Sequence, residues 1–151
     1  MNCKLMNINL PECDSDVPYP KLPLFEVPVP AGFPSPARDY IESHLDLNEL
    51  MNTSPASTYF FRVVGDSMTN AQISDKDILV VDRSKDAINN DIVIAIIDGE
   101  LTVKRYKVFK QGLWLFPENE NFQPLKIEDW MDFSIWGVVT WVIHKPTAVR
   151  C

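Results

Sequence analysis

The sequence predicts a mostly β body that carries a short N-terminal helix and follows an extended, proline-rich N-terminal arm. Three observations lead there. Eight of the twelve prolines fall within the first 36 residues. From Thr58 onward, short runs of aromatic and β-branched residues recur between turn residues. Strands this short and this frequent, with few helices between them, are the pattern of an all-β domain.

The arm comes first. Prolines 11, 18, 20, 23, 28, 30, 34 and 36 each fix φ and remove a backbone donor, so residues 1–34 can form neither a helix nor a central strand. The stretch still holds Leu22, Leu24, Phe25, Val27 and Val29. A solvated linker rarely carries that apolar content, and the expectation is a mobile arm able to dock in a groove. Ser35-Pro36 then reads as a helix start, with Ser35 as N-cap and Pro36 at the first helical position. Ala37, Tyr40, Ile41 and His44 follow at helical spacing, and Leu45–Met51 predicts a second helical turn.

The body follows as strands. Tyr59–Val64 is aromatic and β-branched and ends at Gly65. Ile78–Asp82 and Asp91–Ile97 are short apolar runs, and Asp98-Gly99 is a two-residue hairpin signal that joins Asp91–Ile97 to Leu101–Phe109. Leu113–Phe116 and Ile135–Ile143 complete the set.

Composition narrows the function classes. The chain has 151 residues, 46% hydrophobic and 23% charged, enough for one domain plus an arm without disulfides or a metal. Its net charge is -7, which disfavours direct binding to a phosphate backbone, since that needs a Lys/Arg surface. No direct sequence-specific DNA binding is therefore expected. Cys3, Cys13 and Cys151 have no CxxC or histidine spacing for zinc, and their odd number and terminal placement suit free thiols in a reducing cytoplasm. No cofactor or metal is expected. No apolar run reaches the roughly 18–20 residues of a membrane span, and the N-terminus lacks the apolar core of a signal peptide.

Two residues could carry chemistry. Ser67 lies in Gly65-Asp66-Ser67-Met68, just past a strand end, where a rigid element can hold a reactive loop. Gly65 allows close backbone approach, and the Ser67 amide could donate to an oxyanion. By itself this is also the description of an ordinary turn serine. A serine nucleophile needs a base. His44 and His144 are the histidine candidates, and neither stands in a triad context. Lys104 is the better one. It sits on the second arm of the Asp98-Gly99 hairpin, where alternation puts Thr102, Lys104 and Tyr106 on one face. A strand lysine can be buried, and burial disfavours the ammonium and lowers its pKa from about 10.4. A solvated strand lysine is the commoner case, and a separation of 37 residues between Ser67 and Lys104 does not pair them.

The neighbouring motifs do pair them. Gly65-Asp66-Ser67-Met68 with Ile73-Ser74-Asp75-Lys76-Asp77-Ile78-Leu79-Val80-Val81-Asp82 resembles the nucleophile segment of the LexA/UmuD family of self-cleaving proteins. Asp91-Ile92-Val93-Ile94-Ala95 and Asp98-Gly99-Glu100-Leu101-Thr102-Val103-Lys104 resemble its base segment. Gly32-Phe33-Pro34-Ser35-Pro36-Ala37, Asp39-Tyr40 and Leu45-Asp46-Leu47-Asn48 look like the UmuD branch. The resemblance runs from about Val29 to about Lys145. It implies a compact β-rich peptidase body with Ser67 as nucleophile and Lys104 as general base. The cleavage site it implies is Ala31-Gly32, with residues 1–31 removed and 32–151 retained. It further implies a homodimer, cleavage stimulated by a RecA filament on single-stranded DNA, and a role beside a UmuC-type Y-family DNA polymerase in translesion synthesis. Alanine before the cut bond is the LexA-like choice.

Other classes fit the sequence less well. A LexA-like repressor would need a DNA-binding domain before the cut. The 31 residues before Gly32 are proline-rich and acidic, with Lys4 and Lys21 against Glu12, Asp14, Asp16 and Glu26, and a helix-turn-helix does not fit them. A signal peptidase also uses serine and lysine but would need a membrane anchor. A non-cleaving binding module that regulates a polymerase is the remaining alternative.

Overall fold

The computed structural model of the protein describes residues 22–25, 31–32 and 41–146. The chain divides into two compact units between Leu47 and Asn48.

In the first unit, β1 (Leu22–Phe25) pairs antiparallel with β2 (Ile41–Leu45), Leu22 opposite Leu45 and Leu24 opposite Ser43. A two-stranded ribbon has only edges, so Pro23 is tolerated opposite His44. The strand corrects the helix expected through Ile41 and His44. Helical spacing is a local signal and carries no information about a partner strand from elsewhere in the chain. Pairing with Leu22–Phe25 supplies the backbone partners instead. Ser35, Pro36, Ala37 and Tyr40 lie outside the described residues, as do Val29 and Pro30 and the three cysteines. The second helical turn is present as α1 (Leu47–Leu50).

The second unit is an antiparallel sheet of seven strands. These are β3 (Thr58–Arg62), β4 (Ile78–Asp82), β5 (Ile92–Ile97), β6 (Glu100–Phe109), β7 (Gly112–Phe116), β8 (Leu125–Lys126) and β9 (Phe133–Ile143). Their order across the sheet is β3-β4-β9-β5-β6-β7-β8. The expected mostly β architecture is what forms, and six of these seven strands lie within a few residues of the sequence reading, β8 being the exception. The β5–β6 hairpin turns at Asp98 and Gly99, with φ of 49° and 87°, and Ile97 pairs with Glu100. Two residues with positive φ are what a two-residue hairpin matching the sheet's twist requires.

The last strand lies inside the sheet. β9 joins the β3-β4 half to the β5-β6-β7-β8 half, and its register shifts once against each neighbour. Such bulges sharpen local twist, so the sheet curls and builds a core on both faces. Met68, Ile73, Leu79, Val81 and Ile94 form one buried cluster, and Val93, Ala95, Leu115 and Val138 the other. Gly137 lies on β9 just before Val138, the partner of Asp82 on β4. A Cβ there would lie 2.8 Å from Val81 Cγ1 and 3.1 Å from the Asp82 carbonyl oxygen, so only glycine fits.

Candidate active site

The Ser67 loop is built from its anchors inward. After β3, Val63 exchanges backbone hydrogen bonds with the next loop, its N–H donating to Asp77 O at 2.9 Å and its carbonyl accepting from Lys76 N at 3.0 Å. Gly65 then turns the chain with φ of +94°, and its N–H donates to Asp75 Oδ1 at 2.9 Å. Met68 (1% exposed) and Ile73 (0%) are sunk in the core on either side of a short 3-10 turn over Thr69–Ala71. The residue just before Met68 is therefore held at the surface by a buried neighbour. That residue is Ser67.

A second segment fastens the same loop from the other side. β7 runs into Pro117-Glu118-Asn119, and the Glu118 N–H donates to Ser67 O at 2.8 Å. Asn70 N donates to Glu118 O at 2.8 Å, and Asn119 Nδ2 donates to Asp66 O at 2.9 Å. The Glu118 carboxylate is ion-paired with Arg105 Nε, and Arg105 is the residue after Lys104.

Lys104 lies on β6 opposite Val93, a fully buried residue of β5. Its Nζ is 3.0 Å from Ser67 Oγ, 3.1 Å from Thr102 Oγ1 and 2.9 Å from Val103 O. Thr102 and Lys104 thus share a face of the strand, as alternation predicts. Burial lowers the Lys104 pKa below the ordinary lysine value, since the ammonium gives up hydration on entering the protein. Ser67 and Lys104 together line a cleft of about 470 Å³ walled by Phe61, Val63, Val64, Leu101 and Phe122. A second cavity of about 580 Å³ shares Leu101, Thr102 and Lys104 with it.

The histidines are placed elsewhere. His144 Nδ1 is 2.7 Å from Oδ1 of Asp77, whose other oxygen accepts the Ser74 N–H at 2.8 Å. His44 is exposed on β2. Ala31 and Gly32 are both exposed at a bend in the first unit. Among the described residues no group of His, Cys, Asp and Glu side chains could hold a metal ion, and no helix is long and apolar enough to cross a membrane. Reading the sequence alone missed the roles of Glu118, Asn119 and Asp77. Their partners are backbone groups and side chains far away in the chain, and short local patterns carry no trace of that.

Chemically, the arrangement is a hydroxyl within hydrogen-bond reach of a partly desolvated amine, beside an apolar cleft, an arrangement able to activate a nucleophile. Known proteins resemble the chain over most of its length. A family profile described as Peptidase S24-like matches residues 23–140. The chain is 46% identical to Protein SamA of Salmonella typhimurium over 123 residues, covering 82% of this chain and 85% of that protein. It is 42% identical to Protein MucA of Escherichia coli over 131 residues, covering 85% and 89%. A LexA repressor of Xylella fastidiosa is 42% identical over 110 residues, 73% of this chain and 52% of the repressor.

Proposed function

Because the chain belongs to the Peptidase S24-like family, among its UmuD-like SOS mutagenesis members, we propose that it is a serine-lysine autopeptidase that cuts its own chain between Ala31 and Gly32. The observation that carries this reading is the 3.0 Å contact between Lys104 Nζ and Ser67 Oγ at the edge of the cleft.

The chemistry follows from the contacts. A neutral amine has two N–H donors and one lone pair. Thr102 Oγ1 and Val103 O accept the two donors, which aims the lone pair at the Ser67 hydroxyl. Lys104 takes the hydroxyl proton as Oγ attacks the Ala31 carbonyl, and the Ser67 backbone amide helps hold the oxyanion. The proton passes to the Gly32 amine as the peptide bond breaks, and water then releases the acyl group from Ser67. The segment around Ala31 reaches the cleft as an extended strand of the same chain or of a dimer partner. Tethering raises its effective concentration and removes much of the entropic cost of the encounter. A RecA filament on single-stranded DNA favours the docked arm and so accelerates the cut by population shift. The product spans residues 32–151 and serves as the accessory subunit of a UmuC-type translesion polymerase.

Mass spectrometry after incubation at alkaline pH, or with RecA filaments, should reveal a break after Ala31. Ser67→Ala and Lys104→Ala should abolish it and leave the fold intact. A chain that stays whole under both conditions would refute the peptidase reading and leave a binding module.

A further inference from the structure

Asn119 has no part in the chemistry above, yet it grips the peptide unit on which that chemistry depends. Its Nδ2 donates to the carbonyl oxygen of Asp66 at 2.9 Å, and among the described residues the other donor there is the Thr69 N–H, at 3.4 Å. The Asp66 carbonyl belongs to the same peptide unit as the Ser67 N–H. The described residues contain no cis peptide bond, and in a trans unit the C=O and N–H point in opposite directions. Holding the Asp66 oxygen toward Asn119 therefore turns the Ser67 N–H away from it. Gly65, Asp66 and Ser67 line the cleft, whereas Asn119 lies outside its lining.

Resting on the self-cleavage reading, we propose that Asn119 is a positioning residue that aims the Ser67 amide at the developing oxyanion. Asn119 is itself fixed in place. Its Oδ1 accepts the Asn121 N–H at 2.9 Å. The preceding residue, Glu118, bonds Ser67 O and Asn70 N through its backbone and Arg105 through its carboxylate. A donor group that is already oriented needs no reorganisation when charge develops, and this is where most of the catalytic benefit of an oxyanion site lies.

Asn119→Asp separates this role from a purely structural one. Aspartate keeps the oxygen that accepts from Asn121 N but has no N–H for Asp66 O. The full-length chain, Asn119→Ala and Asn119→Asp would be followed for the break after Ala31 across a pH series, and for labelling of Ser67 by a fluorophosphonate. Both variants should lower the plateau cleavage rate and the labelling rate by about 10- to 100-fold, less than the loss of a direct oxyanion donor. In Asn119→Ala, which adds no charge, the pH midpoint should stay in place because no Lys104 contact is altered, and Asn119→Asp, which keeps the Asn121 contact, should melt close to the wild type. Wild-type rates in Asn119→Asp would overturn the proposal, as would a loss in Asn119→Ala matched by a shifted midpoint, or a loss in Asn119→Asp matched by a lowered melting temperature. If the wild-type chain neither cleaves nor labels, the peptidase reading fails and this proposal falls with it. If the wild type cleaves and Asn119→Asp matches it, only the role of Asn119 is lost.

Discussion

Replacing Gly137 is expected to disturb both the stability of the sheet and the Ser67–Lys104 contact. Ser67 follows β3 and lies on the β3-β4 side of β9, while Lys104 is on β6, on the other side. The width of the β4–β9 contact therefore enters the Ser67–Lys104 distance. In Gly137→Ala the new methyl would meet Val81 Cγ1 at 2.8 Å and the Asp82 carbonyl oxygen at 3.1 Å. Ordinary carbon–carbon contact begins near 3.5 Å, so the strands must part by about 0.7 Å. Val81 is fully buried and the oxygen is backbone, so neither wall yields by a simple rotamer change. Overpacking of this kind costs about 1–3 kcal/mol, and the backbone wall puts it toward the upper end. For a domain of this size that corresponds to a fall in melting temperature of roughly 8–15 °C. A misplacement approaching 1 Å also lowers rates by about 10²-fold, so cleavage by the folded fraction should fall by about 10- to 100-fold. Thermal unfolding followed by circular dichroism, with cleavage assayed well below the lowered melting point, reads both effects. Adding Val81→Ala should cost less in the Gly137→Ala background than in the wild type, because it removes one of the two clashes. An unchanged melting temperature in Gly137→Ala would refute the close-approach argument. A lowered one with full cleavage would refute the link from the sheet to the dyad.

Three further outcomes are expected. Since burial depresses the Lys104 pKa below its unfolded value near 10.4, cleavage should rise with pH through the folded-state value and level off above it. In the same window the unfolded chain binds the extra proton, so stability rises with pH up to about 10.4. Lys104→Met should remove that slope and be more stable than the wild type at neutral pH; a parallel pH dependence of melting in the two would count against burial as the cause. Gly65→Ala meets no neighbour within 4 Å, but φ of +94° strains any residue with a Cβ. It should cost about 1–3 kcal/mol by denaturant unfolding and slow cleavage by displacing Ser67. Asp77→Ala should destabilise by about 1–3 kcal/mol, because the Asp77 side chain is buried and serves both Ser74 N and His144. His144→Ala should cost less, since that ring is half exposed.

What the sequence determined by itself was everything that local pattern controls. Alternation and β-branched runs marked six of the seven strands of the body, and Asp98-Gly99 marked the hairpin, because side-chain period and turn chemistry are written in neighbouring residues. Ser67 and Lys104 were legible as candidate nucleophile and base, but only the motifs around them, read through the family resemblance, joined the two. The pattern misled at Ile41–Leu45, where helical spacing pointed one way and pairing with Leu22–Phe25 decided for a strand. Tertiary structure alone settled the rest. It showed β9 in the interior of the sheet, between β4 and β5, and it set Lys104 Nζ 3.0 Å from Ser67 Oγ across 37 residues of chain. It put His144 on Asp77 rather than on Ser67, and it brought Glu118 and Asn119 onto the Ser67 loop. These contacts join groups that no local spacing relates, and their distances follow from how a bulged, curled sheet packs around its buried side chains. The amine's desolvation is of the same kind: it depends on what surrounds Lys104 in space, with Val93 opposite it and Thr102 and Val103 accepting its hydrogens.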